Sequence, residues 1–214
     1  MENVTLSGPE FAPKSGKKPE HLVILLHGYG ADGNDLIGLA PILAQALPHA
    51  HFISPHAPSP CEMSPFGRQW FSLTDWSPKT MLRKAQEVMP ALSMFISTQA
   101  KRFNLNDDKL ALVGFSQGTM MALYTALRRP YACAAVAGFS GSLIGEEGIT
   151  SKPPICLVHG DQDNVVPYGA MALAEASLKH EGVEVETHTR HGLGHGIDPE
   201  GLDIACKFLK EKLK

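Results

Sequence analysis

The sequence predicts an α/β fold with a mostly parallel central sheet flanked by helices, and three observations carry that prediction. Short apolar runs alternate with amphipathic segments along the chain, the order that βαβ units leave in a sequence. Hydrophobic residues make up 43% and charged residues 19%, an ordinary globular balance far from the signature of disorder. A length of 214 residues supports one sizeable core, so one domain over 1–214 is expected.

Strands are expected over 22–26 (LVILL), 51–54, 110–113, 133–138, 155–159 and 183–188, where β-branched and apolar residues cluster between turn signals. Helices are expected over 34–47, 79–103 with a break or kink at Pro90, 116–128, 168–180 and 199–213. Asp198 stands ready as N-cap of the last helix and Pro199 fits its first turn. A short strand around Val4 to Leu6 is expected to add an antiparallel edge. Residues 54–78 are Pro-rich and aperiodic, and read as a flexible loop flanking the site.

Several function classes are excluded early. The formal net charge is −3 and the basic cluster Lys14 to Lys18 is interrupted, so no nucleic-acid surface is indicated. The N-terminus lacks a signal-peptide pattern and no apolar run is long enough to span a bilayer, which leads to the expectation of a cytoplasmic protein. Cys61, Cys133, Cys156 and Cys206 lie far apart without a CxxC pair, the pattern of buried free thiols. GDQDN resembles the start of a calcium loop, but Val166 and Ala172 stand where that loop needs Gly and Glu. His188, His191 and His195 form no HExxH, so no metal is expected.

Gly28, Gly30 and Gly33 match GxGxxG after a strand, the fingerprint of a dinucleotide turn. That turn needs a carboxylate at the end of the next strand, and HAHFISPHAPS supplies none. The alternative is that His27-Gly28-Tyr29-Gly30 forms a loop whose backbone N–H groups face a reaction centre, glycine permitting the close approach.

A nucleophile for that centre stands in Gly114-Phe115-Ser116-Gln117-Gly118, between a strand and an amphipathic helix. A serine on so sharp a turn takes a strained backbone, with small residues required two positions before and after it. The turn presents its hydroxyl at a helix N-terminus, where partial positive charge favours a developing anion. A serine hydroxyl needs a base, and the base needs a carboxylate to fix its tautomer. Asp161 and Asp163 follow one strand, and His191 and His195 follow the next, in the chain order Ser, acid, His.

With HGYG, GFSQG, GDQDNVVP and GLGH in this order, the chain resembles the small carboxylesterase family that includes acyl-protein thioesterases and lysophospholipases, α/β-hydrolases without a large cap domain. The resemblance implies that Ser116 is the nucleophile, Asp163 the acid and His195 the base, with Asp161 a turn residue. It implies an oxyanion hole from the backbone N–H groups of Tyr29 and Gln117, and no cofactor. His27, His159, His188 and His191 are expected to be structural or lining.

The resemblance further implies short- to medium-chain acyl esters, with lysophospholipids or S-acylated proteins among natural substrates. Members of such families often dimerise, which nothing in these residues decides. Phe66, Trp70 and Phe71 are candidates for the wall of an acyl site, with anchoring of the 54–78 loop to the core as an equal alternative for Trp70 and Phe71. A hydrolase-like small-molecule receptor with negligible turnover is the alternative class, against which the complete Ser-Asp-His set counts.

Overall fold

The computed structural model describes residues 5–145 and 148–214. In chain order the strands are β1 (Glu10–Phe11), β2 (His21–Leu26), β3 (Ala50–Ile53), β4 (Ser59–Pro60), β5 (Arg68–Gln69), β6 (Leu110–Phe115), β7 (Ala135–Phe139), β8 (Ile155–Gly160) and β9 (Val185–Arg190). The helices are α1 (Gly33–Leu36), α2 (Ala40–Ala46), α3 (Pro78–Phe103), α4 (Gln117–Ala126), α5 (Gly169–His180) and α6 (Pro199–Lys212). Among the described residues, seven strands form the main sheet in the order β1-β3-β2-β6-β7-β8-β9, and every pairing is parallel except β1 with β3.

β2 and β6 are buried on both faces because helices cover both, as a parallel sheet requires. Leu22, Ile24 and Leu26 alternate with Val23 and Leu25 between two apolar layers. The first layer holds residues of α3, α4 and α5; the second holds residues of α2 and α6. From β2 the chain moves outward to β3 and then returns to the other side of β2 as β6. This reversal creates a crevice at the carboxyl ends of β2 and β6, the place where open α/β sheets bind ligands.

The elements depart from expectation where local chemistry was hidden. The expected helix over 34–47 is two helices joined by a 3₁₀ turn at Ile37–Leu39, with Asp32 and Asp35 forming a capping box at its start. Pro41, in the first turn of α2, cannot donate to a preceding carbonyl and so marks the second start. Pro90 neither ends nor divides α3, and both it and Gln86, whose carbonyl it leaves without an N–H donor, are exposed residues. β9 begins at Val185 rather than 183 because Gly182, at φ 72°, and the Val183 N–H bonded to Leu178 O finish α5.

The antiparallel edge strand lies at Glu10–Phe11 instead of around Val4 to Leu6. Val4 falls outside the described residues, and Leu6 is buried without strand pairing. The carbonyls of Ser7 and Pro9 accept from His56 and Ser54, but Pro9 has no N–H to return, so a regular ladder starts only at Glu10. Among the described residues no helix is long and apolar enough to cross a membrane.

One contact seats the crevice. A Cβ built on Gly118 would stand 1.8 Å from Leu26 O, so the first turn of α4 lies directly against the end of β2. Gly118→Ala should therefore destabilise the protein by roughly 3 kcal/mol through backbone displacement. Urea denaturation reads this, and an unchanged midpoint would contradict the contact.

Candidate active site

Ser116 sits between β6 and α4 with φ 54° and ψ −118°, a left-handed backbone that a residue with a Cβ rarely adopts. Such a residue stores about 1–3 kcal/mol of strain and persists because its surroundings fix it. Here the Ser116 N–H donates to Phe139 O at 2.9 Å, and Thr119 Oγ1 both donates to Phe139 O and accepts from its N–H. The expected strained turn is present at the expected residue.

The loop after β2 lies over this turn. A Cβ on Gly28 would stand 3.4 Å from Ser116 Cβ, which places the loop backbone against the serine; Gly30 takes φ 82° as the loop reverses. Buried His27 accepts the Ala57 N–H at Nε2, so its proton rests on Nδ1, 2.8 Å from Gly28 O. Burial pushes its pKa down, keeping the ring neutral. Burial, and then a hydrogen bond with Cys61, push the Tyr29 hydroxyl up to about 12, so it stays protonated.

Of the acid–base combinations open in the sequence, two form, in different surroundings. Asp163 Oδ2 and His195 Nδ1 are 2.8 Å apart, with the carboxylate side chain fully buried and the imidazole 18% exposed. Asp161 pairs with His191 at 2.9 Å, but that imidazole is 86% exposed. Burial alone would raise the Asp163 carboxyl, but hydrogen bonds from His195 and from the N–H groups of Val165 and Val166 outweigh it and hold the group below its ordinary value. Its ionised form therefore adds stability above the unfolded carboxylate range, which is lost as pH falls through the lowered folded value. The His195 ring packs on Phe115, next to Ser116, at 4.9 Å between centroids. With Nδ1–H given to Asp163, Nε2 is the nitrogen left with a lone pair.

The 54–78 segment differs most from expectation. It holds a two-stranded ribbon of β4 and β5, and it clamps the site from outside. Arg68 O accepts the Gly30 N–H and Arg68 N–H donates to Ala31 O. The Gln117 side chain accepts from Trp70 N–H at 2.9 Å and donates to Phe71 O at 2.7 Å, and this clamp was not legible in the GFSQG motif. Of the three wall candidates, Trp70 and Phe71 are buried, as anchoring of the segment to the core would have them, while Phe66 is 93% exposed. The Trp70 indole donates to His27 O at 2.9 Å and lies against the His27 ring, so its polar end is committed to the loop.

Cys156, Glu186 and His188 bring ligand-type atoms within 4.8 Å of one another across β8 and β9. Burial first, then Glu186, push the Cys156 thiol well up from its ordinary value. His188 Nε2 is 3.1 Å from Glu186, so the cluster is accounted for by its own hydrogen bonds.

Comparison with known proteins agrees with this architecture. Residues 10–213 match the family model described as Phospholipase/Carboxylesterase. Acyl-protein thioesterase 1 of Saccharomyces cerevisiae is 28% identical over 210 residues, covering 89% of this chain and 92% of that protein. Esterase YpfH of Escherichia coli is 27% identical over 202 residues, covering 94% and 87%. The crystal structure of esterase PE8 superposes with a TM-score of 0.93 at 41% identity, over 98% of this chain and 100% of that one.

Trp70→Phe keeps the apolar bulk and removes the donor to a buried carbonyl. It should cost about 1–3 kcal/mol in thermal or urea unfolding. Wild-type stability in that variant would show that the indole N–H does not anchor the loop.

Proposed function

The chain belongs to the phospholipase/carboxylesterase family, and we propose that it hydrolyses carboxylic or thio esters of short- to medium-chain acyl groups through an acyl-enzyme on Ser116. The observation that carries this reading is the Asp163–His195 pair, its carboxylate buried and its imidazole packed on Phe115, the residue before a serine held in a strained strand-to-helix turn. Asp163 fixes the His195 tautomer so that Nε2 faces outward as a base, and its charge stabilises the imidazolium that forms.

In the first step the Ser116 Oγ–C bond forms as the hydroxyl proton passes to His195 Nε2, and the carbonyl oxygen takes the negative charge. The N–H groups of Tyr29 and Gln117 receive that charge, each contributing roughly 3–4 kcal/mol in comparable systems. The tetrahedral centre then collapses: the bond to the leaving oxygen or sulfur breaks, and His195 returns the proton to it. Water repeats the sequence with His195 as base and releases the acid and free Ser116.

The connection from β7 to β8 holds no helix or strand among its described residues, which supports an open site without a large cap. Of the aromatic residues considered for substrate contact, Phe66 retains an exposed face, so acyl contact is assigned to it before Trp70 or Phe71. The names of the yeast and bacterial relatives support thioesters and simple esters as the two substrate classes to compare.

The test is hydrolysis of p-nitrophenyl esters from acetyl to dodecanoyl by wild type and a folded Ser116→Ala variant. The variant should lose at least about 10⁴-fold in kcat, while the wild-type optimum reports the depth of the acyl site. Equal rates would remove Ser116 as nucleophile and favour the receptor reading. With chemistry limiting, kcat/KM should rise with pH as His195 loses its proton, since only the neutral ring accepts the serine proton; a flat profile contradicts that role.

A further inference from the structure

Asp163 is held by more than its partner His195. Its Oδ1 accepts the N–H groups of Val165 and Val166, both at 2.9 Å. Its Oδ2, the oxygen bonded to His195, also lies 3.2 Å from Nε2 of His159. His159 stands on β8, four residues before Asp163, and is 2% exposed. The same Nε2 is 2.9 Å from Val166 O. A ring nitrogen that faces two acceptors must carry hydrogen; its hydrogen bond goes to Val166 O, and Asp163 Oδ2 is the second acceptor within reach of the same N–H.

We propose that His159 is a positioning residue for the reaction: its Nε2–H orients Asp163 Oδ2 toward His195 and sets how strongly that carboxylate attracts the His195 proton. This inference rests on the esterase reading above. A carboxylate oxygen that shares its charge with two donors is a weaker base than one serving a single donor. Asp163 then stays an anion while His195 cycles, and the imidazolium keeps its proton until the leaving group takes it. The strand fixes the geometry, because His159 belongs to β8 and pairs across the sheet with Thr189 of β9. The titratable groups facing this arrangement are Asp163, His195, and Tyr168, whose ring lies 6.2 Å from the His159 ring and whose hydroxyl bonds Thr189 Oγ1. The Asp161–His191 pair lies on the adjoining turns.

Without the His159 donor, Oδ2 serves His195 alone. The imidazolium then becomes more stable, so the acid limb of kcat/KM moves to higher pH. The carboxylate also gains freedom to turn from His195, so kcat falls. KM is unaffected, since His159 touches no substrate in this scheme.

The test compares His159→Leu, which removes the donor, with His159→Gln, whose amide N–H reaches a similar position. On a p-nitrophenyl ester, folded His159→Leu should lose about 10- to 100-fold in kcat, the range set by a hydrogen bond to a charged group. Its acid limb should move to higher pH, and His159→Gln should recover most of both. An unaltered kcat and pH profile in folded His159→Leu, or equal impairment in both variants, would overturn the proposal. Histidine ¹⁵N NMR of the wild-type protein supplies a readout independent of variant folding: His159 must carry its proton on Nε2, with a shift that responds to Asp163→Asn. A bare Nε2 would also overturn it. Failure of the esterase reading appears separately, as turnover that survives Ser116→Ala.

Discussion

The site depends on the packing of the first turn of α4 against the carboxyl end of β2. Gly118 permits this contact, since any side chain there would displace Leu26 O. Register pairs Leu26 with Gly114, so the ends of β2 and β6 are level, and the residues that follow them emerge side by side. Ser116 and the His27–Gly30 loop are thereby brought together by the centre of the sheet. Both strands are buried on two faces, which gives the site a foundation that opens only when the core does.

A strained serine persists only where its neighbours over-determine it. The neighbours here are hydrogen bonds to β7 through Phe139 and a clamp through Gln117 to the backbone of Trp70 and Phe71. Because Trp70 also holds His27 O, one segment ties the turn after β6 to the loop after β2. The distance between these two loops is therefore set by buried hydrogen bonds rather than by loop stiffness. Buried polar networks of this kind favour a single arrangement, since leaving one member unpaired costs more than a satisfied bond contributes.

The sheet was legible in the sequence because parallel, doubly covered strands write themselves as continuous apolar runs, and LVILL and LALV are both such runs. The Ser116 turn was legible because its glycines meet a steric requirement that few other residues satisfy. The ends of elements were less so: β9 starts late because Val183 finishes α5, a competition between two local patterns that periodicity does not resolve. The 54–78 segment was read as flexible since its apolar residues follow no period. Its order comes from contacts more than forty residues away, such as Trp70 with His27 and Gln117, and no local pattern encodes these. The direction of the Gln117 side chain was hidden for the same reason. A signal for His159 did exist: a histidine at the end of a buried strand, four residues before the candidate acid, brings a ring N–H to the loop that carries that acid.

The two Asp–His pairs show why spacing alone cannot assign an acid and a base. Asp161–His191 and Asp163–His195 join the same two loops at nearly equal distances, and their side chains are chemically identical. They differ in exposure. Around Asp161 and the exposed His191, water and salt screen the charges, so that pair exerts little pull on a proton and serves to hold the turns together. Around Asp163 the field is delivered by fixed donors in a medium that reorients little. A carboxylate with a fully buried side chain, in contact with two backbone N–H groups and two imidazoles, keeps its charge without water and directs it along one line. Such a group can hold a neighbouring histidine in one tautomer and stabilise its cation in place, and so burial rather than residue identity is what favours Asp163 and His195 as the candidate acid and base.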